Sequence, residues 1–217
     1  MRTRAKVSIV ALCAFFACTA GGDAQPVTRR ATNLAAVLAY PGYYHGRPML
    51  IVGKVGVEKD QFRVQDEAEH SIHLLFKGTP PDGLDEIRGE FWDLGRMKPD
   101  DPRLTGYDLR SVFRIDPDGA WPRPGEVTAI IATAVAPAAA APPASIRTIV
   151  LQPSRFLDQK VAVTGQFSGR NLLGDLPDAP AKSRYDFVLR NADAAIWVIN
   201  MRPRMKDANG KDLELGL

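Results

Sequence analysis

The apolar positions of this chain follow one pattern twice. Residues 41–53 read PGYYHGRPMLIVG and residues 153–165 read PSRFLDQKVAVTG, with the proline, an aromatic residue and the closing glycine at matching places. The gapless alignment sets an offset of 112 residues and extends upstream, where Asn33 meets Ser145, Leu34 meets Ile146, Val37 meets Ile149 and Leu38 meets Val150. A short polar residue followed by apolar positions at i, i+3 and i+4 predicts an N-capped amphipathic helix in each copy. Pro41 and Pro153 end that helix, Tyr44 and Phe156 anchor the turn, and residues 49–52 and 161–164 predict a strand. Gly53 and Gly165 then interrupt the apolar sequence, the mark of a bulge or sharp coil. A first strand bent at a glycine is what a small closed barrel needs to pair with both halves of its sheet.

The next strands repeat at an offset of 125, FRVQDE from Phe62 against FVLRNA from Phe187. Phe62 and Val64 alternate with polar residues, as Phe187 and Leu189 are spaced to do. Asp66 with Glu67, and residues 191–193, supply hairpin turns before the returning strands SIHLLF and AAIWVI. The change of offset puts 13 extra residues into the first hairpin of the second copy, within 169–184. The first copy continues with EIRGEFWDLGRM, a polar loop, a tight turn at 116–119 and a closing strand within 125–135. The alanine- and proline-rich stretch 136–143 then reads as a linker. After Ile196 the sequence holds 21 residues, where the first copy uses 63 between Ile72 and Val135. The second unit is therefore expected to lack its last strands, as a fragment or as a sheet whose open edge something else completes.

The motif P-x-x-[YF] running into an apolar strand stopped by glycine, followed by DQFRVQDEAEHSIHLLF or YDFVLRNADAAIWVI, resembles the OB-fold-like modules of exported bacterial proteins of unknown function, often found in tandem. The likeness covers 33–135 and, incompletely, 145–217. It implies an all-β chain of two tandem OB-like small barrels, each preceded by a short helix, the second incomplete. The expected organisation is a signal peptide at 1–24, a first OB-like domain at 25–136, a linker at 137–144 and a second, truncated one at 145–217. One departure is plain: the usual OB-fold joins its third and fourth strands by a helix, whereas 77–86, KGTPPDGLDE, is short and turn-rich. The resemblance implies no chemistry, only that a ligand would sit on the barrel face or in its loops.

The N-terminus changes the balance of composition. Arg2, Arg4 and Lys6 precede an almost uncharged apolar run, 7–20, of signal-peptide length, with small residues at Gly22 and Ala24 placing a cut before Gln25. Export to the periplasm or cell envelope is the expectation. Cys18, preceded by FFA, loosely matches a lipoprotein cleavage box, so membrane attachment is expected only if Cys18 is lipidated. Cys13 and Cys18 are the sole cysteines and both lie in the leader, which leaves the mature chain without thiol or disulfide chemistry. Removing the leader takes the formal charge from +3 to +1, a poor match to a polyanionic partner.

Candidate chemistry is sparse. His70 and His73 lie beside Glu67 and Glu69, but a spacing of three on a strand sends the two rings to opposite faces, which suits a polar hairpin better than a metal. The stretch 207–212, DANGKD, has the opening of a calcium loop without its remaining ligands and reads as a turn. Asp100 and Asp101, with Glu90 and Asp93 upstream, flank prolines in what reads as an exposed loop. No nucleophile with a base and no phosphate-cradling loop is present. Arg202, Arg204 and Lys206 alternate after Trp197 and are the candidates for a ligand-binding stripe of the kind that OB-folds use on single strands. The insertion at 169–184, with Leu172, Leu173 and Leu176, reads equally as a contact surface or as a self-packed loop.

These readings predict a non-catalytic exported binding or protein-interaction module with no metal and no cofactor. A protein partner completing the open edge of the second unit is the expected contact. Binding of single-stranded nucleic acid or another polyanion through an OB-like face is the alternative, with nucleic acid disfavoured by the near-neutral charge.

Overall fold

The computed structural model describes residues 30–105, 107–116, 118–140, 143–177, 183, 185–201, 205–206, 209 and 211–213. The expected signal peptide with Cys13 and Cys18 lies outside them, as do Arg202 and Arg204. The fold is sheet-based, with 33% of the described residues in strands and 18% in short helices.

The chain enters through β1 (Arg30–Ala31), α1 (Leu34–Ala39) and α2 (Pro41–Tyr44). Asn33 caps α1 by accepting from the Ala36 amide at 2.9 Å, and Pro41 occupies the first turn of α2, where its missing N–H costs nothing. The predicted helix is α1, which ends at Tyr40 before Pro41, and the turn expected around Tyr44 is a single helical turn, α2. Five strands follow: β2 (Pro48–Glu58), β3 (Gln61–Gln65), β4 (Ser71–Leu75), β5 (Leu84–Asp93) and, after a long connection, β6 (Thr128–Pro137). That connection holds α3 (Pro102–Thr105) and α4 (Leu109–Val112). Pairing passes from β2 to β3, β4, β6 and β5, and from β5 back to β2. All these pairs are antiparallel except β4 with β6.

β2 changes partners at the predicted glycine. Its first half, from Pro48 to Lys54, faces β5, and its second half, from Lys54 to Glu58, faces β3. Gly53 sits at the crossing, where a Cβ would stand 2.6 Å from Val64 Cγ2 and 2.8 Å from the Gln65 carbonyl oxygen. Only a residue without a side chain lets the two strands approach this closely.

The run Met49–Leu50–Ile51–Val52 is buried throughout because both faces of β2 are covered. Met49 and Ile51 point into a core closed by Leu34 and Val37 of α1, Tyr44 of α2, Val64, Ile72, Ile87, Phe91 and Ile130. Leu50 and Val52 point the other way, onto the second half of the chain. A third cluster, Trp92, Leu94, Met97, Leu109 and Ile131, roots the long connection.

The second half begins with α5 (Ile146–Leu151), whose N-terminus is a capping box between Ser145 and Thr148. β7 (Gln166–Phe167), β8 (Phe187–Arg190) and β9 (Ala195–Val198) form a three-stranded antiparallel sheet. Its register repeats the first half: Lys54↔Gln65 and Val55↔Val64 become Gln166↔Arg190 and Phe167↔Leu189, at the offsets of 112 and 125. β10 (Met205–Lys206) pairs with β11 (Asp212–Leu213). The strand expected at 161–164 does not form, and pairing starts only after Gly165. Its counterpart in β2 is laddered to β5, and among the described residues the second half has no strand in that place.

The halves share a core: Ile146, Leu151 and Ala194 pack with Ala31, Leu50 and Val52. Arg147 bridges Glu86 of β5 (3.0 Å) and Asp193 of the β8–β9 turn, and Asn33 donates to the Val150 carbonyl at 3.0 Å.

Candidate functional site

The β3–β4 hairpin sends Val64, Ile72 and Leu74 into the core and Gln61, Arg63, Ser71 and His73 to its outer face, as strand alternation requires. The hairpin register is fixed by Asp66, whose Oδ1 accepts from the Ala68 and His70 amides at 3.0 and 2.9 Å. Arg63 and His73 therefore stand directly opposite each other. Arg63 donates from Nε to Ser71 Oγ at 2.9 Å and from Nη1 to His73 Nε2 at 3.1 Å, and Glu58 lies 3.3 Å from Nε.

A guanidinium can only donate, so His73 Nε2 accepts and the ring proton sits on Nδ1. Nδ1 is buried and has no hydrogen-bond partner among the described residues. Burial first, and the Arg63 charge second, hold the His73 pKa below its ordinary 6.5, which keeps the ring neutral at pH 7.

Two loops frame this face. The β2–β3 turn, Lys59–Asp60, has both residues at positive φ, 49° and 64°, as in the two-residue turns that match strand twist. The β5–β6 connection brings Phe113 against His73, ring centroids 4.9 Å apart at 85°, and places Arg114 beside it at φ 52°. Gln61 Nε2 donates to the Val112 carbonyl and ties that connection to β3. At its root, Asp93 is fully buried and accepts from the Gly95 and Gly125 amides at 3.1 and 3.0 Å while pairing with Arg96 at 3.0 Å. The result is an open polar pocket of about 270 Å³. Glu126, also on its wall, spends one carboxylate oxygen on the Arg123 amide at 2.8 Å. Lys59 and Arg114 are exposed and have no ion pair among the described residues, which leaves the pocket with uncompensated positive charge.

The sequence candidates lie elsewhere. His70 serves the hairpin turn, its Nδ1 2.9 Å from Asp66 Oδ2, and it does not meet His73. Lys206 pairs through its backbone with Asp212, while Arg202 and Arg204 are outside the described residues. Asp101 is tied to Arg103, which holds its carboxyl down at about 2, and Glu90 accepts from the Trp92 indole at 3.0 Å. Among the described residues no three His, Cys, Asp or Glu side chains converge as a metal site.

The inserted loop is braced: Asn171 both donates to and accepts from Leu176 backbone, Tyr43 OH donates to the Gly174 carbonyl at 2.8 Å, and buried Asp175 pairs with Arg30 and Arg190. Leu172 and Leu173 nevertheless face solvent, 82% and 64% exposed.

Sequence reading missed Arg63, Phe113 and Arg114. A cation flanked by Phe62 and Val64 in a strand marks an outward position, but nothing in the local pattern announces that Phe113 packs against His73, forty residues earlier in the chain. No protein-family model, curated protein or solved structure matches the chain.

Proposed function

We propose that this protein is a non-catalytic exported binding module. It is an OB-like barrel with a second, partial OB-like unit seated on it, and it takes an anionic ligand at the Arg63–His73 face. The barrel reading is supported by the circular order of strand pairing and by the parallel β4–β6 pair within it. The face lies on the second and third strands of that order, between the first hairpin and the connection from fourth to fifth strand, where such barrels hold their ligands. Export rests on the basic and apolar character of residues 1–24.

The observation that carries the reading is Arg63, held by three neighbours between exposed Lys59 and Arg114. Fixed donors beside free cations favour carboxylate or phosphate groups. His73 gives the site no proton relay, because Nε2 is occupied by Arg63 and Nδ1 is buried. A single-stranded nucleic acid would use the same cations but needs stacking platforms. Phe113, the aromatic on this wall, is half-buried beneath the connection.

Titration of the full chain with inorganic phosphate, tripolyphosphate and a ten-residue oligothymidylate, followed by amide NMR, tests this. We expect shifts at Lys59, Arg63, His73 and Arg114, weakened by salt and reduced about tenfold or more in Arg63→Met. Saturable binding by none of the three, or binding that Arg63→Met leaves unchanged, overturns the reading. Binding of the oligonucleotide alone transfers it to the nucleic-acid class.

A further inference from the structure

β4 and β9 hold the same place in the two halves. Each returns from a hairpin in matching register, Val64↔Ile72 in the first and Leu189↔Ile196 in the second. In the first half the far edge of β4 is taken by β6, parallel, with His73↔Ala129, Leu74↔Ile130 and Leu75↔Ile131. Among the described residues no strand is laddered to the far edge of β9, which ends the order β7–β8–β9; β1 reaches the turn just ahead of it, where the Ala31 amide donates to the Asp193 carbonyl at 2.7 Å.

We infer that this edge of β9 accepts an extended segment of a partner protein, laid parallel to β9 and composed of uncharged small and β-branched residues. An edge strand presents a row of unpaired backbone groups, and chains that must avoid pairing protect it with charge, proline or a bulge. β9 and its flanks, 194–199, read AAIWVI, with none of the first two, and its ladder to β8 runs without a register shift. Beyond it Ile199 and Met201, on either side of the turn at Asn200, are apolar and exposed, 45% and 60%. A second, independent sign is Trp197, whose indole N–H is buried with no acceptor among the described residues. Such orphans are rare in a finished structure, and an added strand brings carbonyls alongside.

The chemistry of the occupant follows from β6, Thr128–Pro137, reading TAIIATAVAP, whose Ala129–Ile131 stretch fills the same place in the first half. Ile196 and neighbouring Ala194 contribute to the shared core, so the incoming strand must also be apolar on that face. A second copy of this chain is a poor occupant, since two β9 edges related by a two-fold axis meet antiparallel, against the parallel arrangement of β4 with β6.

Hydrogen exchange on the purified full chain, with and without a synthetic peptide of the 128–136 sequence, tests the inference independently of the anionic face. We expect the amides of Ala195–Val198 that point away from β8 to exchange rapidly in the free monomer. The peptide slows them about tenfold or more. Ile199→Lys, on an exposed position, should abolish the slowing while leaving β2 protection intact. Full protection of β9 in the free monomer, no slowing by the peptide, or a dimer protected at β9 overturns it.

Discussion

Arg63 and His73 face each other across the β3–β4 ladder and share a hydrogen bond of 3.1 Å from guanidinium to imidazole. The pairing works only while the ring is neutral, because a protonated imidazole has no lone pair to offer. An unfolded histidine titrates near 6.5 and His73 titrates lower in the fold, so below 6.5 the unfolded chain takes up its proton first. The stability that neutral His73 contributes is complete above pH 6.5 and is lost as the pH falls towards the folded value. Urea midpoints measured between pH 7.5 and 5 should therefore fall, and His73→Gln should flatten that slope. An unchanged slope would show that the ring carries no linked proton.

Asp85 should show the opposite sign. Its side chain is fully buried in β5, and neither oxygen makes a hydrogen bond of ordinary geometry among the described residues. Burial, reinforced by Asp82, raises its pKa above 3.8, and the nearby Val55 amide offsets only part of this. The charged form thus costs stability at neutral pH, and the cost fades as the pH falls through the raised value. Asp85→Asn should stabilise the protein by about 1 kcal/mol at pH 7, with the gain shrinking towards pH 4, read from denaturant melts at both.

The partner exchange along β2 can be tested with two glycines three residues apart. Gly53→Ala drives a methyl into Val64 and the Gln65 carbonyl, which should cost about 2–3 kcal/mol. Gly56, in the same strand, has nothing within 4 Å of a built Cβ, so Gly56→Ala should be neutral or slightly stabilising. Thermal melts of the two variants side by side give the comparison.

Arg147 is one ionic tie between the halves, beside the Arg30–Asp175 pair, and reaches Glu86 on one side and Asp193 on the other. Its side chain is about one-third exposed, so the pairs are screened. Arg147→Met keeps most of the apolar stem and should cost about 1 kcal/mol. Amide exchange in Ile146–Leu151 should accelerate while that of β3 and β4 holds. Equal acceleration everywhere would mean that the halves unfold as one unit.

The repeat itself was legible in the chain, and so were its local devices. Asn33 and Ser145 cap their helices, Asp66 and Asn191 build their hairpin turns, and Gly53 marks the point where β2 changes partners. Each depends on residues a few positions away or on a steric demand that one residue type meets, so local sequence carries the information. Tertiary structure alone decided the rest. Leu50 and Val52 look like any strand residues until α5 covers them, and residues 161–164 have the apolar pattern of a strand without a partner to ladder it. Arg63 joins the candidate site because the β5–β6 connection folds back to lay Phe113 against His73 and to bring Arg114 into the same pocket. A side chain's pattern fixes the face it occupies, whereas the charge, burial and neighbours of that face come from segments that meet only when the chain folds.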